Sequence, residues 1–330
     1  MVRSGLFVLP SLGGTDMALL HISSLYEQHR TGMHPESPAR IRALREMLAE
    51  TGLDQKLTPL PLAPIDLKTL ELIHPAEYIA AIREYAAQGG GRIEADTVVS
   101  PDSYNVALHA AGAAVSAVER VLTTDESKAV CLIRPPGHHA SRVHPMGFCL
   151  FSNVAVAAQA AIERHDLSRV LIVDWDVHHG NGTQDIFYED ERVHFFSAHR
   201  YPFYPGTGAD DETGSGKGLG TIWNLPLAFG ISQTEFHDEF QRMLEQAAAR
   251  CRPELILISA GFDMHRDDPV GSLGLDEQDF VTLTRTVCDV ADQYCGGRVV
   301  SLLEGGYNLT ALAASVKVHL ETLLEREVEK

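Results

Sequence analysis

Basic side chains are scarce in this chain: 27 Lys and Arg stand against 45 Asp and Glu, a formal charge of −18. Nucleic-acid binding draws much of its affinity from cations laid against phosphates. No basic face is legible, so no nucleic-acid partner is expected. An acidic surface serves solubility and can also attract cationic ligands. Cysteine is scarce too. The five, Cys131, Cys149, Cys251, Cys288 and Cys295, include no C-x-x-C pair. That excludes a disulfide scaffold and fits a reducing compartment, with the cytoplasm as the expected location. No uninterrupted apolar run reaches the roughly 18 residues that span a bilayer, so no membrane partner is expected. The stretch Leu6–Leu12 is too short for a secretory signal and has no cleavage site after it. Residues 1–16 are expected to be an N-terminal extension, and 17–330 a single domain. No feature specifies an oligomer, and self-association stays open.

What the sequence does have is alternation. Apolar runs rich in Val, Ile and Leu give strands over Ala18–Ile22, Ala129–Arg134, Val170–Trp175, Val193–Ala198, Leu255–Ala260 and Val299–Leu303. Their near-continuous hydrophobicity fits strands covered on both faces, hence parallel ones. Between them lie helical patterns with start signals. Ser37 followed by Pro38 opens a helix to about Glu50. Ser232 with Glu235 reads as a capping box for a helix ending near Arg250. Asp276 caps another, stopped by Gly296-Gly297. Further helices are expected over 103–122, 152–165 and 308–326. The fold class is α/β: a three-layer α/β/α sandwich around a mostly parallel sheet, with its active site beyond the carboxyl ends of the strands.

Chemistry-bearing residues cluster at those strand ends. In Val170-Leu-Ile-Val-Asp-Trp-Asp-Val-His178, the side chains of Asp174, Asp176 and His178 alternate with Trp175 and Val177 and so share a face. Mixed oxygen and nitrogen donors at such spacing suit Zn²⁺, with a third ligand from elsewhere. Asp263, just past Leu255–Ala260, is the best candidate. Two carboxylates and one histidine leave a coordination position open, as catalytic zinc requires. Helix capping would explain a lone Asp, but not two strand ends that both deliver carboxylates beside glycine turns. After the strand at 129–134, Arg134-Pro-Pro-Gly-His138-His139 makes an irregular turn that can bring both imidazoles to one site. They offer a general base and an electrostatic or acid partner. In Leu303-Glu-Gly-Gly-Tyr307 the glycines free the backbone, and the phenol can donate to a developing oxyanion.

Together, Arg134–Ala140, Gly147-Phe148-Cys149, Asp174–Thr183, Gly261–Asp263 and Glu304–Asn308 resemble the zinc-dependent histone deacetylase family. The resemblance runs from about Met17 to Val318, and His34-Pro-Glu-Ser-Pro-Ala-Arg40 carries its early part. Two segments, Leu303-Glu304-Gly-Gly-Tyr307 and Asp176-Val-His-His-Gly-Asn181, are similar to the class II branch and its bacterial amidohydrolase relatives. The resemblance implies the arginase/deacetylase fold and one catalytic Zn²⁺ on Asp176, His178 and Asp263. It makes His139 the general base and then the acid to the leaving amine, with His138 beside it and oriented by Asp174. It also implies a structural K⁺ held in part by Asp174 and Ser197. Asn181 stands where class I members have an Asp behind the second histidine, so the general base should be less stabilised as an acid. Gly147 and Phe148 match one wall of a narrow acyl-lysine tunnel. Tyr204, where Phe is usual, matches the other.

Two departures bear on substrate. Asp267 replaces the usual Gly before Asp-Pro, and Val270 occupies the rim position that is Glu in the branch specialised for acetylated polyamines. Without that carboxylate the mouth has no evident partner for a distal ammonium. The expected activity is zinc-dependent removal of acetyl groups from acetyl-lysine or similar N-acetylated amines. The alternatives are an acetylpolyamine or other small-molecule amidohydrolase, an arginase-like dimanganese enzyme and a non-catalytic acetyl-amine-binding protein. The dimanganese site would need a further carboxylate, where this chain has His179-Gly180-Asn181. A binding protein should lack a ligand, histidine or tyrosine, and none is lacking.

Overall fold

The computed structural model of the chain describes residues 18–325, so the expected extension over 1–16 lies outside the described residues. Eight strands form one sheet: β1 (Leu19–Ile22), β2 (Thr58–Pro59), β3 (Lys128–Leu132), β4 (Val170–Asp174), β5 (Val193–Arg200), β6 (Ile222–Leu227), β7 (Leu255–Ala260) and β8 (Val299–Leu303). Their order is β2-β1-β3-β8-β7-β4-β5-β6, and every neighbouring pair runs parallel. Every residue of β3, β4, β7 and β8 is buried, which is why their sequences read as unbroken apolar runs.

The period-two alternation of these strands divides the core. Leu19, Ala129, Val300, Leu257, Ile172 and Phe195 are register partners across six strands and face one helical layer. Their neighbours Leu20, Val130, Val299, Ile256, Leu171 and Phe196 face the other. The helices are α1 (Ala39–Thr51), α2 (Ala76–Ala87), α3 (Ser103–Thr123), α4 (Asn153–His165), α5 (Asn181–Phe187), α6 (Gln233–Cys251), α7 (Glu277–Cys295) and α8 (Leu309–Glu325). The apolar sides of α2, α3 and α4 cover the first face, and α6, α7 and α8 with most of α1 cover the second. The α3 helix is long and apolar enough by composition to cross a membrane. Here its apolar positions from Val106 to Val121 pack into the core.

Boundaries moved where local chemistry intervened. Pro38, not Ser37, holds the N-cap position of α1, and no side chain caps it. The proline already has helical dihedrals, and the Arg40 amide bonds the Ser37 carbonyl rather than its hydroxyl. The β6 strand was not anticipated because Asn224 and Pro226 interrupt its apolar run. As an edge strand it tolerates a proline without a donor. By contrast, the Ser232 hydroxyl accepts the Glu235 amide as expected, and Gly296 ends α7 at φ +63°.

At the start of α7, Asp276 accepts the Gln278 amide while its own amide donates to Asp279. Asp276→Ala is therefore expected to lower stability by about 1 kcal/mol. Chemical denaturation would read this as a lower midpoint at an unchanged slope.

Candidate active site

The four central strands, β3, β8, β7 and β4, are consecutive in the sheet, and the chain leaving each one supplies part of a single cluster. After β4 the backbone continues in two short turns rather than as a strand. The Asp174 carboxylate accepts the Asp176 amide (3.0 Å), and the Asp176 carboxylate accepts the His178 amide (2.9 Å). The alternation survives: Trp175 and Val177 are buried in the core, and Asp174, Asp176 and His178 face the site. After β7, Asp263 completes the set. Ligand atoms of Asp176, His178 and Asp263 lie within 4.8 Å of one another, all buried.

This donor set fits a zinc ion. Oδ2 of Asp263 is buried without a hydrogen-bond donor, 3.2 Å from His178 Nδ1. Burial and the Asp176 charge push the Asp263 carboxyl up to about 7. Burial pulls the His178 imidazole down, but the two carboxylates outweigh it and lift it to about 10. Such mutual strain among buried acids is what a divalent cation relieves. Gly305 keeps the approach open, since a Cβ there would stand 2.1 Å from Asp263 Oδ2 and 2.5 Å from Asp176 Oδ2.

The Pro-Pro-Gly turn after β3 brings the histidine rings together, centroids 4.0 Å apart. Their partners differ. Nδ1 of His138 lies 3.0 Å from an Asp174 oxygen, and Nδ1 of His139 lies 2.7 Å from the Asn181 amide oxygen. Burial lowers His138, but the charges of Asp174 and Asp176 overcome it and raise the imidazole to about 10. His139 is held well below the ordinary imidazole value by burial, reinforced by the positive charges of His138 and His178. An amide oxygen only accepts, so Nδ1 of His139 carries the proton and Nε2 keeps its lone pair.

Above the cluster lies a narrow cavity of about 240 Å³, lined among others by Gly147, Phe148, Tyr204, Val270 and Tyr307. Gly147 has φ +55°, and a Cβ there would come within 2.2 Å of the His139 ring. Phe148 is held at φ +71°, its amide on the Thr97 hydroxyl (3.1 Å) and its ring edge-on to Tyr307 (5.6 Å). The Tyr204 ring stands edge-on to His139 at 5.2 Å. Burial, then the acidic groups Asp263 and Asp176, hold the Tyr307 phenol well above its ordinary value, so it remains a donor. Asp174 and Ser197, expected at a potassium ion, are register partners on β4 and β5 and fully buried. The Ser197 hydroxyl also meets His199 Nδ1 at 2.9 Å.

Several residues of this site were not assigned a role from the sequence. Phe203 stacks on His178 with centroids 5.2 Å apart. Glu304 accepts the amides of Gly137 (2.7 Å) and His138 (3.2 Å), tying the histidine turn to the end of β8. A charged residue flush with an apolar strand was the available clue. Asp96 lines the mouth and accepts the Gly147 amide (3.1 Å). Burial, then the Asp96 charge, holds the Tyr204 phenol above its ordinary value. Val270 offers no partner for a distal ammonium, but Asp96, which a loop distant in sequence folds into place, adds a carboxylate to the same pocket.

Residues 34–323 match the family described as histone deacetylase domain. A histone deacetylase-like amidohydrolase of Pseudomonas aeruginosa is 38% identical over 83% of this chain and 73% of its own length. Histone deacetylase 10, chloroplastic, of Oryza sativa subsp. japonica is 37% identical over 91% of this chain and 72% of its own. The human polyamine deacetylase HDAC10 is 39% identical over 88% of this chain and 44% of its own. In structure, the crystallised HDA15 HD domain superposes with a TM-score of 0.89 at 35% identity, covering 94% of this chain and 89% of that one.

The contrast between the histidines sets a pH prediction. Replacing Asn181 by Asp puts a carboxylate behind His139, stabilises its protonated form and raises its pKa. A base must be neutral to act, so the acid limb of the kcat/KM profile is expected to move to higher pH. An unmoved limb in Asn181→Asp would remove His139 from the role of base.

Proposed function

Since the chain belongs to the histone deacetylase family and is a deacetylase of acetylated amines, we propose how its residues carry out that hydrolysis and which amines they admit. The observation that carries the reading is the buried Asp176–His178–Asp263 cluster at the foot of an aromatic pocket. These three residues would hold the zinc ion. When bound, zinc supplies a Lewis acid and a water acidified toward pKa ~7.

The remaining work falls to the chain. Nε2 of neutral His139 takes the proton from the attacking water and afterwards returns it to the leaving amine. His138, kept cationic by Asp174, adds positive potential beside the developing charge. The Tyr307 phenol donates to the oxyanion, a contribution of about 3–4 kcal/mol for one such donor. Phe148 and Tyr204 strip water from the aliphatic stem of the substrate, with Gly147 leaving room beside His139. A potassium ion next to Asp174 and Ser197 would keep the Asp174 carboxylate ionised against burial, which by itself raises its pKa. All five cysteines are buried and outside any disulfide, which supports a cytoplasmic setting.

The preferred substrate is an acetyl-lysine side chain or a similar linear acetylated amine, because Val270 adds no charge at the rim. A second reading, a small acetylated polyamine, is favoured by one observation: the Asp96 carboxylate at the mouth could receive a distal ammonium.

The zinc-loaded protein is expected to deacetylate an acetyl-lysine peptide. Tyr307→Phe should slow it about 10²–10³-fold, and a chelator should abolish activity that added Zn²⁺ restores. Cleavage of N-acetylputrescine alone would make the polyamine reading the correct one. Failure on both substrates with zinc bound would favour a binding protein.

A further inference from the structure

We infer that Asp268 is a positioning residue for Tyr307, and that its single carboxylate locks the aim of this phenol to the rim of the pocket. The inference rests on the assignment of Tyr307 as the oxyanion donor. Asp268 lies in the loop that follows β7 and is only 8% exposed. Its Oδ1 accepts the amides of Val270 (2.9 Å) and Gly271 (3.0 Å), which closes the turn that carries the rim. Its Oδ2 accepts the amides of Tyr307 (2.6 Å) and Asn308 (3.2 Å) from the chain leaving β8. Four backbone donors thus converge on one buried side chain, two from each loop.

The position of these contacts matters more than their number. Tyr307 follows two glycines, and Gly306 sits at φ +117°, where the backbone has no side chain to restrain it. The Gly306–Tyr307 peptide is instead gripped at both ends. Its carbonyl accepts Arg40 Nε at 2.7 Å, and its N–H donates to Asp268 at 2.6 Å. The next peptide is held too, through the Asn308 N–H on the same carboxylate, and with both planes held the Cα–Cβ direction of Tyr307 is fixed. A second tie, Asn308 Nδ2 to the Asp267 carbonyl (3.0 Å), joins the same two loops. Because Val270 lines the pocket, the carboxylate that orients the donor also sets the wall opposite the incoming chain. A donor that acts only in the transition state loses its effect when misaimed, while substrate binding is little changed.

The test is a double-mutant cycle on the zinc-loaded full chain, with steady-state kinetics on an acetyl-lysine peptide. Asp268→Asn keeps the shape but turns an N–H₂ toward one of the two donor pairs. In the native background kcat is expected to fall about ten- to a hundredfold with KM within about twofold. In the Tyr307→Phe background, where there is no phenol to aim, the same substitution should change kcat by no more than about twofold. An equal fall in both backgrounds, or a rise confined to KM, would overturn the inference and leave Asp268 a structural residue. If Tyr307→Phe alone runs at the native rate, it is the assignment of Tyr307 that fails, and the inference falls with it. Should the melting curve show Asp268→Asn unfolded, Asp268→Ser replaces it. That hydroxyl can still close the near turn but does not reach the Tyr307 amide, and the same pair of kcat ratios decides.

Discussion

The buried carboxylate of Glu36 is the point on which the site depends. It is fully inaccessible and bonds Arg134 through both of its oxygens, with Nη2 at 2.7 Å, while Arg40 Nη1 reaches it at 3.3 Å. Charges taken so far from water are tolerated only when every partner is in place. Here the arginines also spend their remaining donors on backbone. Arg134 binds the carbonyls of Tyr26 (2.5 Å) and His29 (3.0 Å), and Arg40 those of Glu304 (2.5 Å) and Gly306 (2.7 Å). The early segment, the end of β3 and the glycine turn after β8 are thereby one rigid unit. Glu304 adds the link that reaches the histidines. Loops that would otherwise be free at the strand ends are held in common register, and the reacting groups inherit it.

That register makes the electrostatics specific. Four carboxylates, Asp174, Asp176, Asp263 and Glu304, are buried within one cluster around the imidazoles of His138 and His178. Burial lifts Glu304 to about 7, and its second oxygen has no partner. Such crowding of buried acids is what a divalent cation on Asp176, His178 and Asp263 would relieve. Within it the tandem histidines are driven apart. A carboxylate behind His138 holds it charged, and an amide behind His139 leaves it neutral. Pairs of titratable groups whose surroundings separate their pKa values are how one site obtains both a base and a cation at the same pH.

The features legible in the sequence are those fixed by local pattern. Strands buried on both faces read as unbroken Val, Ile and Leu runs, and β7 and β8 matched to the residue. Asp174, Asp176 and His178 were readable because spacing alone puts them on one side, even though turns rather than a strand do so. What escaped depends on contacts between distant segments. Asp96 acquires its place only because its carboxylate meets Gly147, fifty-one positions on. Phe203 has no periodic context, and its role follows from stacking between His178 and the Arg200 guanidinium, which lies 4.2 Å over its other face. Strand β6 escaped because polar and proline positions mask an edge strand.

The same division separates what this scaffold fixes from what it leaves adjustable. The proposed metal donors, both histidines and Glu304 are anchored to the four central strands by buried hydrogen bonds, so the groups proposed for hydrolysis are built onto the sheet. The mouth is made of three loops, carrying Asp96, Tyr204 and Val270, which belong to separate crossovers. Each can change without disturbing a strand. In this chain the rim pairs an aliphatic Val270 with a carboxylate already engaged by the Gly147 amide and the Thr97 hydroxyl. An arriving ammonium must compete with those donors for Asp96, whereas an uncharged stem flanked by Phe148 and Tyr204 need not. That competition, together with the uncharged Val270, is the physical basis for proposing a linear acyl-lysine substrate.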